Sequence, residues 1–149
     1  MKRYVACLID KNNAYGHPLE IYSYQSMEMI NPEQRENECK DILDITSTKY
    51  KFGYIDDEIN NEHRKSLSNI SHVVTKVEWE DSKLMVYIMT IDTPSGKLLE
   101  SLLENGMLFC LKYNWKMSGC SSIDVYSMTR QNCNPEYILT KISTKKGLE

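Results

Sequence analysis

Apolar and polar residues nearly alternate from Ile70 to Glu80, with Ile70, His72, Val74, Lys76 and Glu78 on one face and Ser71, Val73, Thr75, Val77 and Trp79 on the other. This period of two predicts a strand with at least one buried face. Glu80-Asp81-Ser82-Lys83 follows as a turn, and a β-branched and aromatic run from Leu84 to Ile91 returns, so the pair is expected to form an antiparallel hairpin. The pattern then changes period. Asp92 or Thr93 can cap a helix, Pro94 suits its first turn, and Gly106 sits just beyond its end. Leu98, Leu99, Leu102 and Leu103 fall on one helical stripe, with Lys97, Glu100 and Glu104 facing outward.

Elsewhere, Tyr4 to Ile9 reads as a first strand, and Asn31-Pro32-Glu33 reads as the start of a surface helix reaching Leu43, with Cys39, Ile42 and Leu43 inward. Tyr50 to Ile55 is a further strand candidate. Asp56 to Asn69 is polar and aperiodic, as expected of an exposed loop. Met107 to Met117, Ile123 to Met128 and Tyr137 to Ile142 supply more strands, separated by Gly119-Cys120-Ser121-Ser122 and Asn132-Cys133-Asn134-Pro135 turns. The expected class is α+β: a mainly antiparallel, barrel-like sheet with a few packed helices, in one domain over residues 1–149.

Composition adds exclusions. At 149 residues, 41% hydrophobic and 26% charged, the chain can bury one sizeable core. A net charge of −3 supplies no basic footprint for nucleic acid. No apolar run reaches membrane-spanning length, and Met1-Lys2-Arg3 leads straight into the first strand, so neither a span nor a signal segment is expected. The five cysteines, Cys7, Cys39, Cys110, Cys120 and Cys133, contain no CxxC pair and no histidine at ligand spacing. Metal and other cofactors are therefore not expected, and the thiols read as reduced and largely buried.

The order of Ile70-Ser71-His72-Val73-Val74, an aromatic strand, Thr93-Pro94-Ser95-Gly96-Lys97, a leucine-rich helix and Asn105-Gly106 resembles the prohead core proteases of tailed bacteriophages. Asn12-Asn13-Ala14-Tyr15-Gly16-His17-Pro18 is a loose counterpart of the family's early Asn-rich turn. The likeness covers roughly residues 10 to 120 and is strongest from Ser68 to Gly106. It implies a fold like that of the herpesvirus assemblins and a serine protease that processes capsid and scaffold proteins. In that family a histidine lies in a Gly-Glu-x-x-His-Pro segment, and the nucleophilic serine lies in a Val-Ser-Ser-Arg-Gly segment just after the helix. The hydroxyl needs the imidazole to take its proton, and the oxyanion needs donors aimed at it.

This chain departs from that pattern at the chemistry. An ungapped match puts Asn61 at the histidine position, while a two-residue insertion lets His63 fill it. Lys112 and Tyr113 occupy the two serine positions, Asn114 replaces the arginine and Trp115 the glycine. The resemblance therefore implies a phage pseudoenzyme without the catalytic serine, acting in the host cytoplasm or at the prohead by protein–protein binding. Its expected partner is a capsid or scaffold protein or a host defence factor, with Tyr113, Trp115 and Lys116 as candidate interface residues and oligomers allowed. Two alternatives stand beside this reading. One is an active serine endopeptidase using His63 and Ser118, with His72 as a further catalytic candidate, although a hydrogen bond ordering the hairpin is the favoured role for His72; the other is a structural component of the prohead core. Cys110 is weighed as a thiol nucleophile against a packed strand residue, and packing is favoured.

Overall fold

The computed structural model describes residues 1–12, 32–56, 67–115, 121–128 and 134–142. In chain order the elements are β1 (Arg3–Asp10), α1 (Pro32–Leu43), β2 (Phe52–Tyr54), β3 (Ile70–Glu80), β4 (Lys83–Thr90), α2 (Pro94–Glu104), β5 (Leu108–Trp115), β6 (Ser121–Met128) and β7 (Thr140–Lys141), with short 3-10 turns between several of them. The class is α+β, and every ladder between named strands is antiparallel. One sheet has the order β2-β3-β4-β1-β7, and β5 and β6 form a second, two-stranded sheet.

The hairpin forms because its two strands bring matching apolar positions together. Val74 lies opposite Ile88, Val77 opposite Val86 and Trp79 opposite Leu84. Strict alternation would have kept Lys76 and Glu78 on the face of Val74. A bulge between Val74 and Lys76 instead accommodates Thr75 as an extra residue and moves the inward phase to Val77 and Trp79, which pack against the core. Asp81 closes the turn in the left-handed region at φ 58°.

The helix that follows begins and ends where its caps dictate. The Thr93 side chain accepts from the Gly96 amide at 3.0 Å and donates to the Ile70 carbonyl, so the same hydroxyl caps α2 and ties it to β3. Gly106 adopts φ 92°, and its amide donates to Leu103. The leucine stripe is narrower than its spacing suggests: Leu99 is fully buried and Leu102 and Leu103 pack partly, but Leu98 is half exposed. Glu100, expected to face outward, accepts from the buried Thr90 hydroxyl on β4. On α1, Cys39 and Ile42 are buried as expected, whereas Leu43 at the helix end is exposed. The expected strand at Tyr50 to Ile55 shortens to β2 preceded by a 3-10 turn at Lys49–Lys51, and the one expected at Tyr137 to Ile142 shortens to β7, with Tyr137 ending a 3-10 turn that begins at Pro135.

The main core lies between the sheets, where Tyr4, Ala6, Leu84, Val86 and Ile88 meet Phe109, Leu111, Ile123 and Val125. A smaller cluster of Cys7, Cys110 and Tyr137 occupies another face. No ladder joins the two sheets among the described residues, but isolated contacts link them at both margins. Leu139, just before β7, donates to the Phe109 carbonyl at 2.8 Å, and Ile138 bridges to Cys110. At the other margin Ile55 bridges to Val125, and the Asp56 amide donates to the Val125 carbonyl at 2.7 Å. Among the described residues no helix is long and apolar enough to cross a membrane.

Candidate functional site

Among the described residues, the buried polar side chains of Ser71, His72, Ser122 and Asp124 gather at this second margin, where β6 meets β2 and β3. His72 is opposite Gly53 in the β2–β3 ladder, and its ring crosses over that glycine to reach β6. Nε2 lies 2.7 Å from the Ile123 carbonyl and Nδ1 lies 2.7 Å from Ser71 Oγ. A carbonyl oxygen can only accept, so Nε2 carries a hydrogen. In the neutral imidazole Nδ1 is then the acceptor, and the Ser71 hydroxyl donates to it. Gly53 is what makes the crossing possible. A Cβ there would stand 2.2 Å from both Nε2 and the Ile123 carbonyl oxygen.

A carboxylate continues the same seam one residue further along β6. Asp124, fully buried, accepts from the Tyr54 amide at 3.0 Å, from Ser122 Oγ at 2.9 Å and from Asn114 Nδ2. Three consecutive β6 residues thus receive donors from the neighbouring edge: Ile123 from His72, Asp124 from Tyr54 and Val125 from Asp56. Such satisfaction is what allows the polar groups to be buried at all. Burial pushes the Tyr54 phenol above its ordinary value, and the Asp124 charge adds to the rise.

Against this geometry the sequence candidates sort as follows. Lys112 is on β5 directly opposite Asp124, is about half exposed, and its Nζ lies 3.7 Å from Asp56 Oδ2. Tyr113 is half-buried and packs against the main core, so its ring is in part a core element rather than a free interface anchor. The backbone of Trp115 ends β5 opposite Ser121. His63, Lys116 and Ser118 lie outside the described residues, as does His17. Cys110 is fully buried beside Cys7 and Tyr137. The neighbouring Cys7 thiol is pushed up to about 12 by burial first and by the charges of Glu136 and Asp10 second, the opposite of nucleophile activation.

The one described serine–histidine pair, Ser71 and His72, has the hydrogen bond that nucleophile activation requires. Both side chains are nevertheless wholly inaccessible to solvent, and the ring's other nitrogen is occupied by a backbone carbonyl. The arrangement joins strands. Among the described residues no group of three or more potential metal ligands comes together.

Sequence reasoning found His72 and missed its partners. Ser122 and Asp124 alternate with Ile123 and Val125 as any half-exposed strand would, so nothing marked them as buried. Gly53, isolated between Phe52 and Tyr54, was the available signal, because a lone glycine inside a strand marks the close approach of another group. No family model, curated protein or solved structure matches the chain.

Proposed function

We propose that the chain is a relative of the phage prohead proteases that has lost the catalytic serine and works by binding another protein, a capsid or scaffold component or a host factor, in the host cytoplasm. The observation that carries this reading is at β5. The two positions that align with the family's serines hold Lys112 and Tyr113, one ion-paired with Asp56 and the other packed on the core. Neither side chain can form an acyl-enzyme in a serine's place. The contacts at both margins of the β5–β6 pair support the barrel-like part of the proposal, since they continue the strand order from β2 through β6 and β5 towards β7.

The test has two arms. Purified chain is treated with a fluorophosphonate probe and incubated for days while its intact mass is followed. No label and no self-cleavage are expected; labelling that Ser118→Ala abolishes would establish the endopeptidase reading instead. In the second arm the tagged chain is offered to candidate capsid, scaffold and host proteins, with Lys112→Glu as comparison. Saturable one-partner binding weakened by that substitution is expected. Uniform rings of the chain alone in native mass analysis would point to a structural prohead component.

A further inference from the structure

We propose that Ser71 and His72 form a proton-accepting latch that holds β6 against the β2–β3 edge in both charge states of the imidazole. Besides its 2.7 Å contact with Nδ1, the Ser71 hydroxyl oxygen lies 3.4 Å from the Gly53 carbonyl. A hydroxyl has one proton to give and lone pairs with which to accept. With the ring neutral, Ser71 donates to Nδ1 and the Gly53 contact is idle. When a proton is added at Nδ1, the nitrogen becomes a donor to Ser71 Oγ, and the serine proton turns to the Gly53 carbonyl. The bond from Nε2 to the Ile123 carbonyl is the same in both states. Burial opposes the added charge, but the hydrogen bonds meet it with a hydroxyl rotation and no movement of a strand.

The titratable and charged groups near this joint come from the elements packed against β3. From β6, Asp124 adjoins Ile123; from β2 and the residues after it come Tyr54 and Asp56; from β5 comes Lys112, opposite Asp124. Thr90 of β4 is the register partner of His72 and donates to Glu100 of α2. The carboxylate nearest in the chain to the carbonyl that His72 holds is that of Asp124, buried and bound by neutral donors from Tyr54, Ser122 and Asn114. A proton on the imidazole would place a positive charge in the same β6 seam as that carboxylate, and their attraction would work against the burial that disfavours the charged ring.

The experiment is a pH series of ring 15N spectra on the full chain with labelled histidine, read together with backbone amide spectra. At pH 8 the His72 ring is expected to carry hydrogen on Nε2 alone. Towards pH 5 a second N–H is expected at Nδ1 while the amides of Ile123, Asp124 and Val125 keep their folded positions. Ser71→Ala removes the acceptor that the charged ring needs, so in that variant the transition is expected about one pH unit lower. The proposal is overturned if Nδ1 of the folded parent stays unprotonated until the chain unfolds in acid, if the neutral ring carries its proton on Nδ1, or if Ser71→Ala titrates with the parent. The first two outcomes need only the parent protein, so a variant that fails to fold leaves the proposal testable.

Discussion

Replacing Gly53 with alanine perturbs the seam at its tightest point. The added Cβ would meet His72 Nε2 at 2.2 Å, His72 Cε1 at 2.7 Å and the Ile123 carbonyl oxygen at 2.2 Å. A flexible side-chain tip could swing away from such a contact, but one of these atoms is backbone and the ring is fixed by hydrogen bonds at both nitrogens. Relief requires either that β2 and β6 separate or that the imidazole leaves the Ile123 carbonyl. Forcing an extra methyl into a packed site costs roughly 1–3 kcal/mol, and leaving that carbonyl unpaired in the interior costs about 1–3 kcal/mol more. The lower chain entropy of unfolded alanine offsets about 0.4–1 kcal/mol. The expected loss is about 2–5 kcal/mol, a large part of the roughly 5–15 kcal/mol that holds an ordinary domain together. Urea unfolding followed by tryptophan fluorescence and circular dichroism reads it as a midpoint lowered by about 1 M or more. His72→Ala should also destabilise, and the double variant should lose much less than the sum, since each change breaks the same joint. A Gly53→Ala protein within about 0.5 kcal/mol of the parent would refute the reasoning.

Three further outcomes follow from the geometry. Thr93→Ala removes both the cap of α2 and the bond to the Ile70 carbonyl, and is expected to cost about 1–2 kcal/mol in the same unfolding assay, with Thr93→Ser recovering most of it. Asp124→Asn places an amide group where three donors converge, so it should destabilise by about 1–3 kcal/mol; it also removes the negative charge that helps hold the Tyr54 phenol up, so Tyr54 should ionise at lower pH by ultraviolet titration than in the parent. The Cys7 thiol, pushed up to about 12, should resist iodoacetamide in the folded chain at pH 8 when its peptide is mapped by mass spectrometry. Because the unfolded thiol ionises near 8.5, the stability that Cys7 contributes is whole below that pH and is lost as pH rises from there towards 12, at no more than about 1.4 kcal/mol per pH unit.

The hairpin and α2 were legible because each is set by residues close together in sequence. Alternation specified β3, Asp81 and Ser82 the turn, Thr93-Pro94 the helix start and Gly106 its end. The errors arise where a distant contact overrides the local pattern. Thr75 is an ordinary strand residue in the sequence, yet the bulge there decides which half of β3 faces inward, since both Val74 and Val77 have inward partners on β4. Leu98 belongs to the leucine stripe by spacing, but the sheet covers only the part of that stripe around Leu99. The period shows that a helix is amphipathic; it does not give the width of the surface beneath it.

The seam was hidden for a stronger form of the same reason. Its members are Gly53, Ser71, His72, Asn114, Ser122 and Asp124, drawn from four strands, and only the adjacent Ser71 and His72 stand out as a pair in the sequence. Ser71 and His72 attract attention as neighbours able to act as nucleophile and base, but burial changes their meaning. A catalytic hydroxyl must be activated and reachable; a buried one can only satisfy its surroundings. The Ile123 carbonyl, which can only accept, fixes the imidazole's tautomer with hydrogen on Nε2, and the hydrogen bond that would ready Ser71 for attack at a surface here only completes the ring's partners. What distinguishes a dyad from a clasp is therefore reach, since a second nitrogen held by a carbonyl occurs in both but here neither Ser71 nor His72 touches solvent. In this chain that carbonyl is on the neighbouring sheet, so the chemistry of the pair is spent on joining β6 to the rest of the fold.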